Sequence, residues 1–210
     1  QPFFEEEDIK FDSPWLIDDP TISTAVYATL DSPMDVDYFA FEGDGGQSIL
    51  LQITIPQIEG QEDFVPHMAL LGPQLPPIDL PDLVSRPDDA GGVLLPPPTG
   101  PAPTFFEPFS RTSYWERQQS RETLPVDGSY VVAVWHDSGV LGRYVFVCGD
   151  KEQLGGDLTF PIKMRSYWTP VTAGARPQSV SIGVCLLAGG IAASAALLVW
   201  IVIRRRRKSA

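Results

Sequence analysis

The sequence predicts a mainly β protein: an antiparallel β-sandwich of about seven or eight strands, jelly-roll or Ig-like, followed by a single C-terminal transmembrane helix. Three observations carry this. Short apolar segments rich in Val, Ile, Tyr and Phe recur between turn residues. No long amphipathic helical period appears before residue 180. Residues 180–203, VSIGVCLLAGGIAASAALLVWIVI, are apolar and uncharged, and as a helix rising about 1.5 Å per residue they span a hydrocarbon core of roughly 30 Å.

The first 20 residues mix an acidic patch, Glu5-Glu6-Glu7-Asp8, with Phe3, Phe4, Phe11 and Trp15, and they show no period. This predicts an extended arm whose aromatics dock onto this domain or a neighbour. Strand-like patterns follow as ISTAVYATL, DVDYFAFEG and QSILLQITIP. In the second, Val36, Tyr38 and Ala40 alternate with Asp37, Phe39 and Phe41, the signature of a half-buried strand. Gly43-Asp44-Gly45-Gly46 makes a tight turn, which predicts that the second and third strands form a hairpin. FVPHMALL at 64–71 is a further candidate strand, closed by Gly72-Pro73.

Residues 73–108 hold 11 of the 21 prolines, including Pro96-Pro97-Pro98. Proline lacks the N–H that a ladder needs, so this insertion is predicted to be neither helix nor central strand but irregular, polyproline-like loop. Its apolar residues, among them Leu75, Ile78, Leu80, Leu83, Val93, Leu94 and Phe105, predict packing against a surface. Strands resume in RTSYWERQQSRETL, Tyr130–Trp135 and Gly142–Cys148, punctuated by Val126-Asp127-Gly128 and Ser138-Gly139. DKEQLGGDLTFPIKMRSYW then reads as a loop with a short helical or extended exit. The domains are therefore an arm at 1–20, a sandwich at 21–165 with the insertion at 73–108, a juxtamembrane tether at 166–179, the span at 180–203 and a basic tail at 204–210.

Charge divides the chain in the same way. All 27 acidic residues precede the span, with 10 of the 15 basic ones, so that region carries −17 and the tail +5. Arg204, Arg205, Arg206, Arg207 and Lys208 resist translocation, which predicts a cytoplasmic C-terminus and an extracytoplasmic domain on the cell membrane. The chain opens on Gln1 without an apolar leader, as expected if a signal peptide has been removed. So acidic a domain does not hold nucleic acid by charge. Cys148 lies in a predicted strand and Cys185 within the span, so the two cannot pair, and the domain relies on its core. Cys148 reads as a small buried hydrophobe. No Asn occurs, so no N-glycosylation sequon exists.

Little in the sequence points to catalysis. His67 and His136 belong to no zinc-binding spacing and read as satisfied sheet residues. No G-x-S-x-G elbow exists, and Ser129 reads as a turn residue. The best metal candidate is calcium, since Asp31, Asp35, Asp37 and Asp44 crowd one stretch and calcium takes six to eight hard oxygens. The candidate ligands are Asp35, Asp37 and Asp44, with purely structural carboxylates as the simpler reading. Tyr114, Trp115, Trp135 and Tyr144 are candidates for a sugar-stacking platform, with core packing as the simpler reading.

Asp35-Val36-Asp37-Tyr38-Phe39-Ala40-Phe41, followed by Gly46-Gln47 and an apolar strand, resembles the bacterial pre-peptidase C-terminal family of domains. Gly128-Ser129-Tyr130 with Val131–Val134 resembles that family's Gly-Thr/Ser-Tyr strand, and Gly142-Arg143-Tyr144 with Val145–Val147 its closing Gly-x-Tyr strand. The resemblance covers about residues 22–150, broken by the proline-rich insertion. It implies a compact β-sandwich serving as a non-catalytic binding or stabilising module. Here the module is joined to a membrane span rather than to an enzyme.

The span itself carries a small-residue face: Ala188, Gly189, Ala192, Ala193 and Ala196 recur at near four-residue spacing. Such faces let helices pack closely in lipid. The sequence therefore predicts a non-catalytic accessory subunit of a multi-subunit membrane complex, with other membrane proteins as partners and no cofactor beyond the calcium candidate. The alternative is a surface-displayed module that binds a polysaccharide or a partner protein.

Overall fold

The computed structural model describes residues 1–108 and 110–167. Among these, the elements run β1 (Pro2–Phe4), β2 (Trp15–Leu16), β3 (Thr24–Leu30), β4 (Val36–Gly43), β5 (Ser48–Pro56), β6 (His67–Gly72), β7 (Gly91–Leu95), β8 (Thr104–Glu107), β9 (Thr112–Thr123), β10 (Gly128–Trp135), β11 (Gly142–Cys148) and α1 (Phe160–Tyr167). They form a six-stranded sheet, β1-β3-β11-β5-β9-β8, and a five-stranded sheet, β2-β4-β10-β6-β7. Alternation along each strand sends one set of side chains between the sheets. Val26 of β3, Ile49, Leu51 and Ile53 of β5, and Phe146 of β11 meet Phe39, Leu70 and Val132 of the other sheet in one core. The Phe39 and Phe146 rings stack across the two sheets at 4.2 Å. The β-sandwich expected from the sequence is thus observed, with its main strands where the apolar segments placed them.

The expected hairpin is corrected. β4 and β5 lie in different sheets, β4 pairing with β10 and β5 with β11 and β9. The glycine turn reverses the chain but carries it across the sandwich. Phe39 and Phe41 on β4 can then face Ile49 and Ile53 on β5 across one core.

The half-buried expectation for β4 is also corrected, because both of its faces are covered. Phe39 and Phe41 point into the core, whereas Val36 and Tyr38 lie on the outer face with Ala69, Leu71, Val84, Ala133 and Trp135. Ile78, Leu80 and Leu83 of the proline-rich insertion pack over that outer face. The insertion is therefore more than irregular loop. It contributes β7 and β8, each at the edge of a sheet, where proline-flanked strands are tolerated. Gly91 fits this cover closely: a Cβ there would lie 1.9 Å from the Leu75 carbonyl oxygen.

On the first sheet, Phe160, Met164 and Tyr167 of α1 cover Tyr27, Tyr114 and Val145, with Phe4 in the same cluster. Asp157 starts this helix, its Oδ1 accepting from the Thr159 amide at 2.7 Å. Tyr167, two residues beyond the expected end of the sandwich, is fully buried and donates to the Tyr144 carbonyl at 2.6 Å.

The N-terminal arm docks onto its own domain. β1 pairs in parallel with β3 at the edge of one sheet, and β2 in parallel with β4 at the edge of the other. The arm therefore closes one open side of the sandwich, and Ile9 and Ile17 enter the core. Among the described residues no helix is long and apolar enough to cross a membrane. The expected span at 180–203, its small-residue face and the basic tail lie outside the described residues.

Candidate functional site

Asp37, the second residue of β4, lies on the inward face and is fully buried. Its Oδ2 accepts a 2.6 Å hydrogen bond from the Tyr144 hydroxyl of β11, which joins the two sheets. Its Oδ1 is buried with no hydrogen-bond partner among the described residues. The arm brings Glu5 and Asp8 to the same place, and carboxylate oxygens of Glu5, Asp8 and Asp37 lie within 4.8 Å of one another. Burial, followed by the charges of Glu5 and Asp35, pushes the Asp37 carboxyl well above its ordinary range. Burial and the neighbouring Asp37 likewise push the Tyr144 hydroxyl up.

Three convergent carboxylates are the donor type that suits a hard divalent cation, so Glu5, Asp8 and Asp37 are the described residues best placed to hold one. Of the ligands expected from the sequence, Asp37 is in this cluster. Asp35 is close enough for its charge to act on Asp37, and its Oδ2 accepts from the Asp31 amide at 2.8 Å. Asp44 is seven residues along the chain from Asp37, about 23 Å along an extended strand, and it belongs to the turn where its amide donates to Gln47 Oε1 at 2.9 Å. Glu5 and Asp8 were legible only as an acidic patch. What brings them to Asp37 is the path of the arm.

The two histidines are neighbours at one end of β6 and β10. His67 Nε2 lies 3.3 Å from Asp137, which also accepts from the Trp135 indole N–H at 2.7 Å. His136 Nδ1 accepts from the Ser138 and Val140 amides at 3.2 and 3.3 Å, and its ring stacks on Phe64. Burial, then His67, holds the His136 imidazole below its ordinary pKa. The expectation of satisfied sheet residues is corrected: His136 lies in the turn after β10, and His67 Nδ1 and His136 Nε2 are buried with no hydrogen-bond partner among the described residues.

The candidate sugar platform is not assembled. Tyr114, Trp135 and Tyr144 are buried, and Trp115 packs against the core. Tyr114 instead shares a 3.2 Å hydrogen bond with Tyr27 under α1. Cys148 is buried too, its thiol pushed up to about 12 by burial and then by Asp19.

Concave surface gathers along the arm. Phe3 and Trp15, one from each edge strand, are half-buried and meet at 5.9 Å between ring centroids, Trp15 also packing against the core. The two rings border a cleft of about 510 Å³ that is also lined by Phe4, Glu6, Glu7, Asp8, Ile9 and Asp157. They also border a cleft of about 430 Å³ that includes Gln1, Leu16, Ile17, Asp18 and Asp19. Lys163 of α1 fastens this region, reaching Asp157 at 2.7 Å and also Glu6.

No protein-family profile matches the chain, and no curated protein matches it. Among solved structures it is similar to the periplasmic g-type lysozyme inhibitor PliG of Salmonella Typhimurium, at 16% identity and a TM-score of 0.37, over 65% of this chain and 98% of that one. It is also similar to the pre-peptidase C-terminal domain of a Bacillus anthracis collagenase, at 10% identity and a TM-score of 0.36, over 68% of this chain and 97% of that one. Overlap this low carries no argument about function, and the fold stands on the sheet topology described above.

Proposed function

We propose that this chain is a non-catalytic, extracytoplasmic binding module, held on the cell membrane by one helix at 180–203 with its basic tail in the cytoplasm. The observation that carries the binding role is the ring pair of Phe3 and Trp15, which lines two clefts along the arm. Each sheet carries a cover on its outer face, so the arm is where aromatic surface and concavity coincide. The anchor rests on the apolar run and the five cations after it.

A second reading makes the module an accessory subunit of a membrane complex. The small-residue face of Ala188, Gly189, Ala192, Ala193 and Ala196 favours it. The two readings differ in where the partner is held. A photo-crosslinker at Leu16, which is 71% exposed and lines the second cleft, tests the first in native membranes. Crosslinks to a discrete partner are expected from Leu16 and not from Val140, which is exposed in the β10–β11 turn. Equal or no crosslinking from both positions would overturn the binding role assigned to the arm. Stoichiometric co-migration in native electrophoresis that is lost when Gly189 and Ala193 become Leu would support the subunit reading.

A further inference from the structure

We propose that His136 is an acid-released latch: protonation of its imidazole frees the β10–β11 turn, residues 137–141, while the two sheets stay closed. The device goes beyond the binding role and stands independently of it.

The imidazole is the peg around which the turn closes. Its Nδ1 accepts from the Ser138 amide at 3.2 Å and the Val140 amide at 3.3 Å, and the His136 carbonyl accepts from the Gly139 amide at 2.9 Å. An imidazole nitrogen that accepts carries no proton, so neutral His136 holds its proton on Nε2. That nitrogen is buried with no hydrogen-bond partner among the described residues. The ring lies on Phe64, 5.7 Å between centroids and 14° from parallel.

This setting accommodates the neutral ring and rejects the cation. A second proton must go on Nδ1, where it meets two N–H donors and removes both hydrogen bonds at once. On the Nε2 side no acceptor answers the added charge. The charged groups acting on the ring are His67, from the start of β6, and Asp137, next to it in the turn. Asp137 is shared: it lies 3.3 Å from His67 Nε2 and accepts from the Trp135 indole N–H. Phe64, from the segment before β6, and Pro33, against which Gly139 packs, bring no charge.

Burial, then His67, accordingly holds the imidazole below its ordinary value of about 6.5. A depressed pKa stabilises the closed turn above that ordinary value, and the stabilisation is lost as pH falls through the depressed one. Swinging the ring into water satisfies the imidazolium and uncovers Phe64, which is otherwise 1% exposed. The ladders do not need the turn, because β10 is held by β4 and β6, and β11 by β3 and β5.

Hydrogen exchange of the full chain in a neutral detergent, corrected for intrinsic rate, tests this at about pH 7.5 and pH 5.0. Protection of residues 137–141 should fall about fivefold or more at the lower pH, with Val131–Val134 of β10 unchanged. His136→Asn should keep equal protection at both pH values, because its amide oxygen accepts from the Ser138 amide and does not titrate. His67→Gln should leave most of the acid loss in place. Wild-type protection that is the same at both pH values would overturn the latch, whether or not either variant folds. An acid loss that persists in His136→Asn, or vanishes in His67→Gln, would move the titration to another group and overturn it too. Equal loss along β10 would be general unfolding, with the same consequence.

Discussion

Asp37 sits where a carboxylate is most costly, between two sheets, with one oxygen bonded to Tyr144 and the other without a hydrogen-bond partner among the described residues. Its raised pKa means that the native protein keeps a proton that the unfolded chain releases above about pH 3.9. Between the unfolded value and the raised native one, the native state binds more protons, so stability falls as pH rises. Asp37→Asn removes that slope while its amide oxygen still accepts from Tyr144. Thermal denaturation should show a smaller loss of Tm between about pH 4.5 and pH 7.5, and a Tm at neutral pH at or above wild type. The scale is about 1–3 kcal/mol, that of an unsatisfied buried group. An equal loss of stability at both pH values would show instead that the carboxylate is held ionised by a cation. The sequence offered Asp37 as a candidate through its place in the Asp-Val-Asp-Tyr motif. It could not offer Glu5 and Asp8 as its neighbours, because only the docked arm spans the 29 residues from Asp8 to Asp37.

At the scale of elements, apolar patterning located most strands but misjudged what lies over them. Alternation in β4 predicted one wet face, yet Leu80 and Leu83 arrive from more than 40 residues away to cover Val36 and Tyr38. The proline content correctly excluded a central strand. Edge strands remained compatible with it, since an edge has one side that needs no partner N–H. Gly91 tests the cover. An added methyl meets the Leu75 and Pro76 carbonyl oxygens, which belong to backbone and cannot swing aside. Gly91→Ala should lift residues 75–84 from the sheet, seen as protease cleavage within 73–90 at least tenfold faster than in wild type. Unchanged cleavage would show that the insertion is held independently of β7.

The described residues form an acidic sandwich closed along one side by the N-terminal arm. Its −17 over residues 1–179 implies self-repulsion among surface carboxylates, which salt screens within a Debye length of about 10 Å at 0.1 M. Raising sodium chloride from about 10 to 300 mM should therefore raise Tm by a few degrees, on the order of 1 kcal/mol for a domain of this size. A fall in Tm would mean that the ion pairs of Lys163 and Arg121 outweigh the repulsion.

The sequence by itself determined the β class, the positions of the main strands, the acidic balance and the apolar run at 180–203. Each of these is local, written in the period of a few residues or in a sum of charges. Tertiary structure decided which strands share a sheet, which faces are dry and which acids meet. It moved β4 and β5 into opposite sheets, laid the proline-rich insertion over one outer face and α1 over the other, and brought Glu5 and Asp8 to Asp37. Those choices depend on contacts between residues far apart in the chain, where the gain is burial of apolar area against a particular partner. No local period encodes the identity of that partner.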